Sequence, residues 1–234
     1  MNVLVNKIDG LLFDKDGTLF DFHATWSSWA LSLIDLLSEG DDKLRTALAA
    51  SMDFDLELGQ FRPTSPIIAG TNREAAECVA RALPGRDVEE LEELLTQQAA
   101  EAPLSPPVPL VPLLDGFLAQ GLALGVMTND SEYAAVAQLR AAGIYTHFQF
   151  VAGSDSGYGA KPDPDPLWAF SNRAGLDPGR VAMVGDSTHD LIAGRAAGMQ
   201  TIAVLTGAAL DDELRPYADV VLPNIGHIPG WLAE

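Results

Sequence analysis

The chain has 234 residues, 47% of them hydrophobic and 20% charged, a composition that supports a sizeable core and excludes a mostly disordered polymer. Thirty-three acidic residues against fourteen basic ones give a formal charge of −19, which repels phosphate backbones and anionic membrane surfaces, so neither nucleic acid nor a membrane is an expected partner. A single cysteine, Cys78, excludes an intrachain disulfide and fits a reducing compartment, and its apolar flanks point to a core position.

The first ten residues, MNVLVNKIDG, lack the basic region, long apolar stretch and small-residue cleavage site of a secretory signal. An apolar run, 11–13, ends at Asp14 and reads as a short buried strand. From Thr25, apolar residues at helical spacing (Trp26, Trp29, Ala30, Leu33, Leu36, Leu37) continue to Gly40 and predict an amphipathic helix. A second helix is expected from Asp42 towards Ser51, with the continuation MDFDLELGQF ambiguous. Thr71-x-x-Glu74 and Asp87-x-x-Glu90 are helix-start signals for two more. Residues 22–101 therefore read as entirely helical.

Five prolines in 103–112 then make a semi-rigid connector and a domain boundary. The apolar stretch 108–127 is broken by Pro109, Pro112, Asp115, Gly121 and Gly125, and reads as linker, helix and strand rather than a membrane span. A soluble, cytoplasmic protein is expected. Beyond the boundary, strands expected at 122–127, 148–151, 181–184, 201–205 and 219–222 alternate with helices at 132–142, 166–174 and 190–197. Those helices end at Gly143, Gly175 and Gly198. This alternation predicts parallel strands with crossover helices. The organisation is an α/β domain formed by 1–21 and 102–234, interrupted by a helical unit, 22–101.

Polar residues gather after these strands, at the edge where an open parallel sheet holds its ligand. Asp14 and Asp16 follow the first strand, Thr128-Asn129-Asp130 the second, Lys161 the loop after the third, and Asp186 with Asp190 the fourth. Each alone also fits a turn, a helix cap or a surface cation; together they point to one site.

FDKDGTL, MTND, GAKPDP and GDSTHDL, in this order, resemble the haloacid dehalogenase superfamily, in particular its phosphatases similar to phosphoglycolate phosphatase. The resemblance implies a Rossmannoid parallel-sheet core with an inserted helical cap of the C1 type. It implies hydrolysis of a small-molecule phosphate ester, 2-phosphoglycolate-like, through an aspartyl phosphate. Asp14 would be the nucleophile and Asp16 the general acid and base. Asp14, the backbone carbonyl of Asp16, and Asp186 would hold magnesium, with Asp190 beside it or acting through water. Thr128 and the Asn129 amide would bind phosphate oxygens, and Lys161 would neutralise them and steady Asp14.

Lys15 stands where related phosphatases more often carry an apolar residue, and reads as tolerated rather than catalytic. His189 reads as a surface or capping residue, and His23 as packed or solvent-facing. Trp26 and Trp29 have core spacing. Arg62 and Arg73 are cap cations that a carboxylated substrate would use, and equally surface residues. Asp16 argues against a dehalogenase, and Trp26, where sugar phosphomutases carry a cap-hinge histidine, argues against a mutase. A phosphomutase or phosphotransferase of the superfamily and a non-catalytic regulator that binds a phosphorylated metabolite are the alternatives.

Overall fold

The computed structural model describes residues 8–233. The secretion-signal reading rests largely on residues 1–7, which lie outside that range. Strand β1 (Gly10–Phe13) is buried at every position, as expected of a parallel strand covered on both faces. The chain then leaves the sheet to form α1 (Phe22–Ser38), α2 (Asp42–Ser51), β2 (Phe54–Asp55), β3 (Gln60–Phe61), α3 (Asn72–Ala82) and α4 (Val88–Ala100). It returns through α5 (Leu110–Ala119), β4 (Ala123–Met127), α6 (Glu132–Ala141), β5 (Phe150–Ala152), α7 (Asp165–Ala174), β6 (Val181–Gly185), α8 (Thr188–Ala197), β7 (Gln200–Val204), α9 (Asp211–Leu214), β8 (Val220–Leu222) and α10 (Ile228–Leu232).

The six-stranded sheet runs β5-β4-β1-β6-β7-β8, every pairing parallel. Strand β1 lies at the point where the order reverses, so loops from both halves of the sheet meet above its carboxyl end. One face packs Phe13, Phe117, Val126 and Val184 into a core; the other packs Leu12, Met127, Phe170 and Met183. The inserted unit has its own core, built on Trp26, Trp29, Leu33, Leu48, Phe54, Leu91 and Leu95. Cys78 is buried in this unit, on α3.

The expectation that 22–101 is wholly helical is corrected by the antiparallel pair β2–β3. Phe54 faces Phe61 across it, both buried, with their rings edge-to-face at 5.0 Å. The Asp55 carboxylate accepts from the Glu57 and Leu58 amides, and Gly59 takes φ 65°. These features close a tight reversal that a helix would not permit.

Helix starts follow their side chains. Thr71 and Glu74 form a reciprocal capping box on α3, whereas Asp87 alone caps α4. Helix α8 begins at Thr188, two residues before the expected start, because Ser187 and Asp190 form a capping box there. Gly175 and Gly198 end α7 and α8 in the left-handed region. No helix among the described residues is long and apolar enough to cross a membrane.

Candidate active site

The β1, β4 and β6 ends bring the expected residues together. Asp14 is fixed by its backbone N–H, which donates to Val184 O in β6 at 2.8 Å. The next residues fold back in a tight loop: Gly17 N donates to Phe20 O at 2.7 Å, with Gly17 at φ 81°. A Cβ on Gly17 would overlap the Asp186 carboxylate, as would one on Gly207, so two glycines make the close cradle in which Asp186 sits. Thr18 Oγ1 donates to Asp186 at 3.4 Å.

Lys161 enters from the loop after β5 and is buried. Its ammonium is paired with Asp14, lies 2.6 Å from Asp190 Oδ1 and donates to Met127 O at 2.9 Å. Asn129 holds that loop: its side chain accepts from the Lys161 amide at 2.9 Å and donates to the Lys161 carbonyl at 2.8 Å. The same Asn129 amide group donates to Ala69 O of the inserted unit at 2.9 Å. Thr128 Oγ1 accepts from the Asp130 amide at 3.2 Å, which leaves its own hydrogen free to donate. The second Asp190 oxygen accepts from the Ser187 amide and hydroxyl, at 3.0 and 2.7 Å.

Lys15 is a site residue whose surroundings sequence reasoning missed. It is fully buried, 2.7 Å from Asp16 Oδ2 and 3.0 Å from Asp130 Oδ2, and donates to Gln138 Oε1 at 2.5 Å. Its ammonium also lies 5.4 Å from the Trp26 ring centre. Burial alone would lower its pKa, but Asp16 and Asp130 together hold it above the ordinary lysine value. Gln138 in turn donates to Ala99 O of α4 at 2.7 Å. The available signal was a lysine flanked by two aspartates. The other Asp16 oxygen, Oδ1, is buried and has no partner.

Asp14, Asp16, Thr128, Asn129, Lys161 and Asp190 all line one chamber, which the inserted unit covers with Trp26, Trp29 and the 67–72 segment. Its empty space is about 690 Å³, part of it open to solvent. The two tryptophans thus serve both the insert's core and the chamber wall. His189 is half-buried and also lines the chamber, whereas His23 is exposed at the start of α1. Arg62 pairs with Asp55 and Arg73 with Glu77 and Glu92 on the exterior; neither lines the chamber.

Asp14, Asp186 and Asp190 are buried, each offering an oxygen within 4.8 Å of the others. Burial is the largest influence on Asp14, opposed by Lys161 and reinforced by Asp190 and Asp16, and its carboxyl is pushed from 3.8 up to about 7. Asp186 is likewise raised well above its ordinary value, by burial first and then by Asp14 and Asp190. For Lys161, burial lowers the pKa but its two carboxylates raise it further, above the lysine range. Three carboxylates against one ammonium leave surplus negative charge that a divalent cation would relieve, and an all-oxygen donor set fits a hard ion.

Residues 8–198 match the family model of haloacid dehalogenase-like hydrolases, and the chain belongs to that family: it is a hydrolase with an aspartate cluster at its sheet edge. It is 32% identical to a phosphoglycolate phosphatase of Agrobacterium fabrum, over 95% of this chain and 91% of that one. It is 28% identical to the pyrophosphatase PpaX of Bacillus velezensis, over 96% and 97%. The fold superposes on CbbY from Rhodobacter sphaeroides, solved with phosphate, with a TM-score of 0.70 at 21% identity, covering 94% and 96%.

Proposed function

We propose that the protein is a magnesium-dependent phosphomonoester hydrolase that acts on a small phosphorylated metabolite through an aspartyl phosphate on Asp14. The observation that carries this reading is the buried meeting of Asp14, Asp186, Asp190 and Lys161, with the unpartnered Asp16 oxygen beside them. Asp14, Asp186 and Asp190, with the Asp16 carbonyl, would hold the ion. When bound, magnesium supplies positive charge that lets a phosphate dianion approach a carboxylate.

The chain's own groups do the rest. Asp14, held by β6 and Lys161, is the nucleophile at phosphorus. Lys161, the Thr128 hydroxyl and the Asn129 backbone N–H receive the phosphate oxygens. Asp16 is kept in place through its other oxygen by Lys15; its free Oδ1 gives a proton to the leaving oxygen and then takes one from the water that cleaves the acyl phosphate. Residues 22–101 act as a cap that excludes bulk water, over a core formed by 1–21 and 102–234.

The test is hydrolysis of p-nitrophenyl phosphate by the purified protein with and without magnesium, beside Asp14→Asn. Turnover that needs magnesium and falls at least about a thousandfold in the variant is expected. Undiminished turnover by Asp14→Asn would refute the assignment.

A further inference from the structure

The wall that the inserted unit presents to the chamber is apolar and without positive charge. Phe22, Trp26, Trp29, Ile67, Ile68 and Ala75 line it, and among the described residues no lysine or arginine of the unit does. Two of its polar side chains there are already engaged. Thr71 is in the α3 capping box, and the Asn72 amide donates to Glu92 O and Thr96 Oγ1. Lys161 lines the chamber, where the proposed reaction commits it to the phosphate. A neighbouring cleft, which shares Ile68, Thr71, Lys161 and His189 with the chamber, carries Glu74, Glu77, Asp163 and Glu213 beside exposed Arg81.

Against this wall a carboxylate on the leaving group would lose its water and gain no cation from the inserted unit, and a polyol would lose hydrogen bonds that the apolar side chains do not replace. The Lys15 ammonium already lies over the Trp26 ring, 5.4 Å from its centre, so a cationic leaving group would not find that face of the ring free. A flat apolar group, by contrast, fits the corner where Trp26 and Trp29 stand edge-to-face, 5.0 Å between ring centres. Trp29 is buried, and its Nε1–H is closed to solvent and without an acceptor.

We propose that the chamber selects phosphate esters whose leaving group is uncharged and aromatic, packed on the Trp26–Trp29 corner. This rests on the phosphatase reading above and narrows its substrate class away from carboxylated esters such as 2-phosphoglycolate. The experiment compares kcat/KM for benzyl phosphate, 2-phosphoglycolate, glucose 6-phosphate and phosphocholine, with p-nitrophenyl phosphate as a general control. The four esters all release alkoxides, so the comparison reads the pocket rather than the phenol chemistry of the control.

Benzyl phosphate is expected to exceed each of the other three at least about tenfold. Ile68→Arg, which places a cation on the half-buried wall, is expected to shift the ratio towards 2-phosphoglycolate by about tenfold. Turnover of the control with 2-phosphoglycolate, the sugar phosphate or phosphocholine equal to or above benzyl phosphate would overturn this inference and leave the phosphatase reading standing. An unchanged ratio in Ile68→Arg would overturn the role given to the wall. No turnover of any ester, the control included, would overturn both readings.

Discussion

Replacing Lys161 by methionine would leave Asp14 and Asp190 facing one another in a buried pocket, with the cation that both contact removed. In the proposed reaction the same ammonium meets the transferring phosphate. Lys161→Met should therefore lower kcat by about a hundredfold or more; steady-state kinetics with kcat near wild type would remove Lys161 from the mechanism. Lys15 differs in kind, because it touches Asp16 and Asp130 from behind the chamber. Lys15→Met should cost about 3 kcal/mol in urea unfolding by stranding two half-buried carboxylates without their buried cation, and adding Asp130→Asn should restore part of that. No recovery in the double variant would show that the pair is not what Lys15 stabilises. Lys161 was legible in the sequence because the chain has only four lysines and this one follows a strand. Lys15 was not, since Asp130 and Gln138 lie 115 and 123 residues away, and no local pattern reports such partners.

At the scale of the element, Ser187 links helix capping to the site. Its hydroxyl caps α8 and also donates to the Asp190 oxygen that faces away from Lys161. Ser187→Ala should cost about 1 kcal/mol and lower Tm by about 2–4 °C, while freeing Asp190 to reorient. A thermal melt superimposable on wild type would show that the cap contributes nothing measurable. Most elements were readable because short apolar runs bounded by glycine, and capping residues three apart, are local signals. The β2–β3 hairpin was not. Phe54 and Phe61 are seven apart, a spacing that suits one face of a helix as well as two facing strands. The reversal is decided by the Asp55 side chain and the Gly59 backbone, which periodicity does not report.

For the whole molecule, the buried aspartates tie stability to pH. The folded Asp14 carboxyl is raised from 3.8 to about 7, so between those values the folded protein holds a proton that the unfolded chain has released. Unfolding free energy then falls as pH rises through that window, and the raised Asp186 adds to the same sign. Metal-free protein should therefore melt at lower temperature at about pH 7.5 than at about pH 5.5, and magnesium should raise Tm more at the higher pH. The difference in the magnesium increment separates this effect from general repulsion in a chain of charge −19. Equal increments at both pH values would contradict the carboxylate assignment. The alternation of strands and helices already foretold an inserted unit in a parallel sheet. That two core tryptophans would also wall the chamber was not foreseeable, because helical spacing reports burial and not what lies on the other side of the ring.

If the phosphoryl group passes through Asp14, it can be trapped there. p-Nitrophenolate leaves without a proton, so Asp16→Asn should still be phosphorylated by p-nitrophenyl phosphate while the breakdown that needs Asp16 is slowed. Intact-mass measurement after acid quench should show one added phosphoryl group, and borohydride reduction should convert the modified residue to homoserine at position 14. Release of p-nitrophenolate and phosphate by this variant without any adduct, or with an adduct at another residue, would contradict the account.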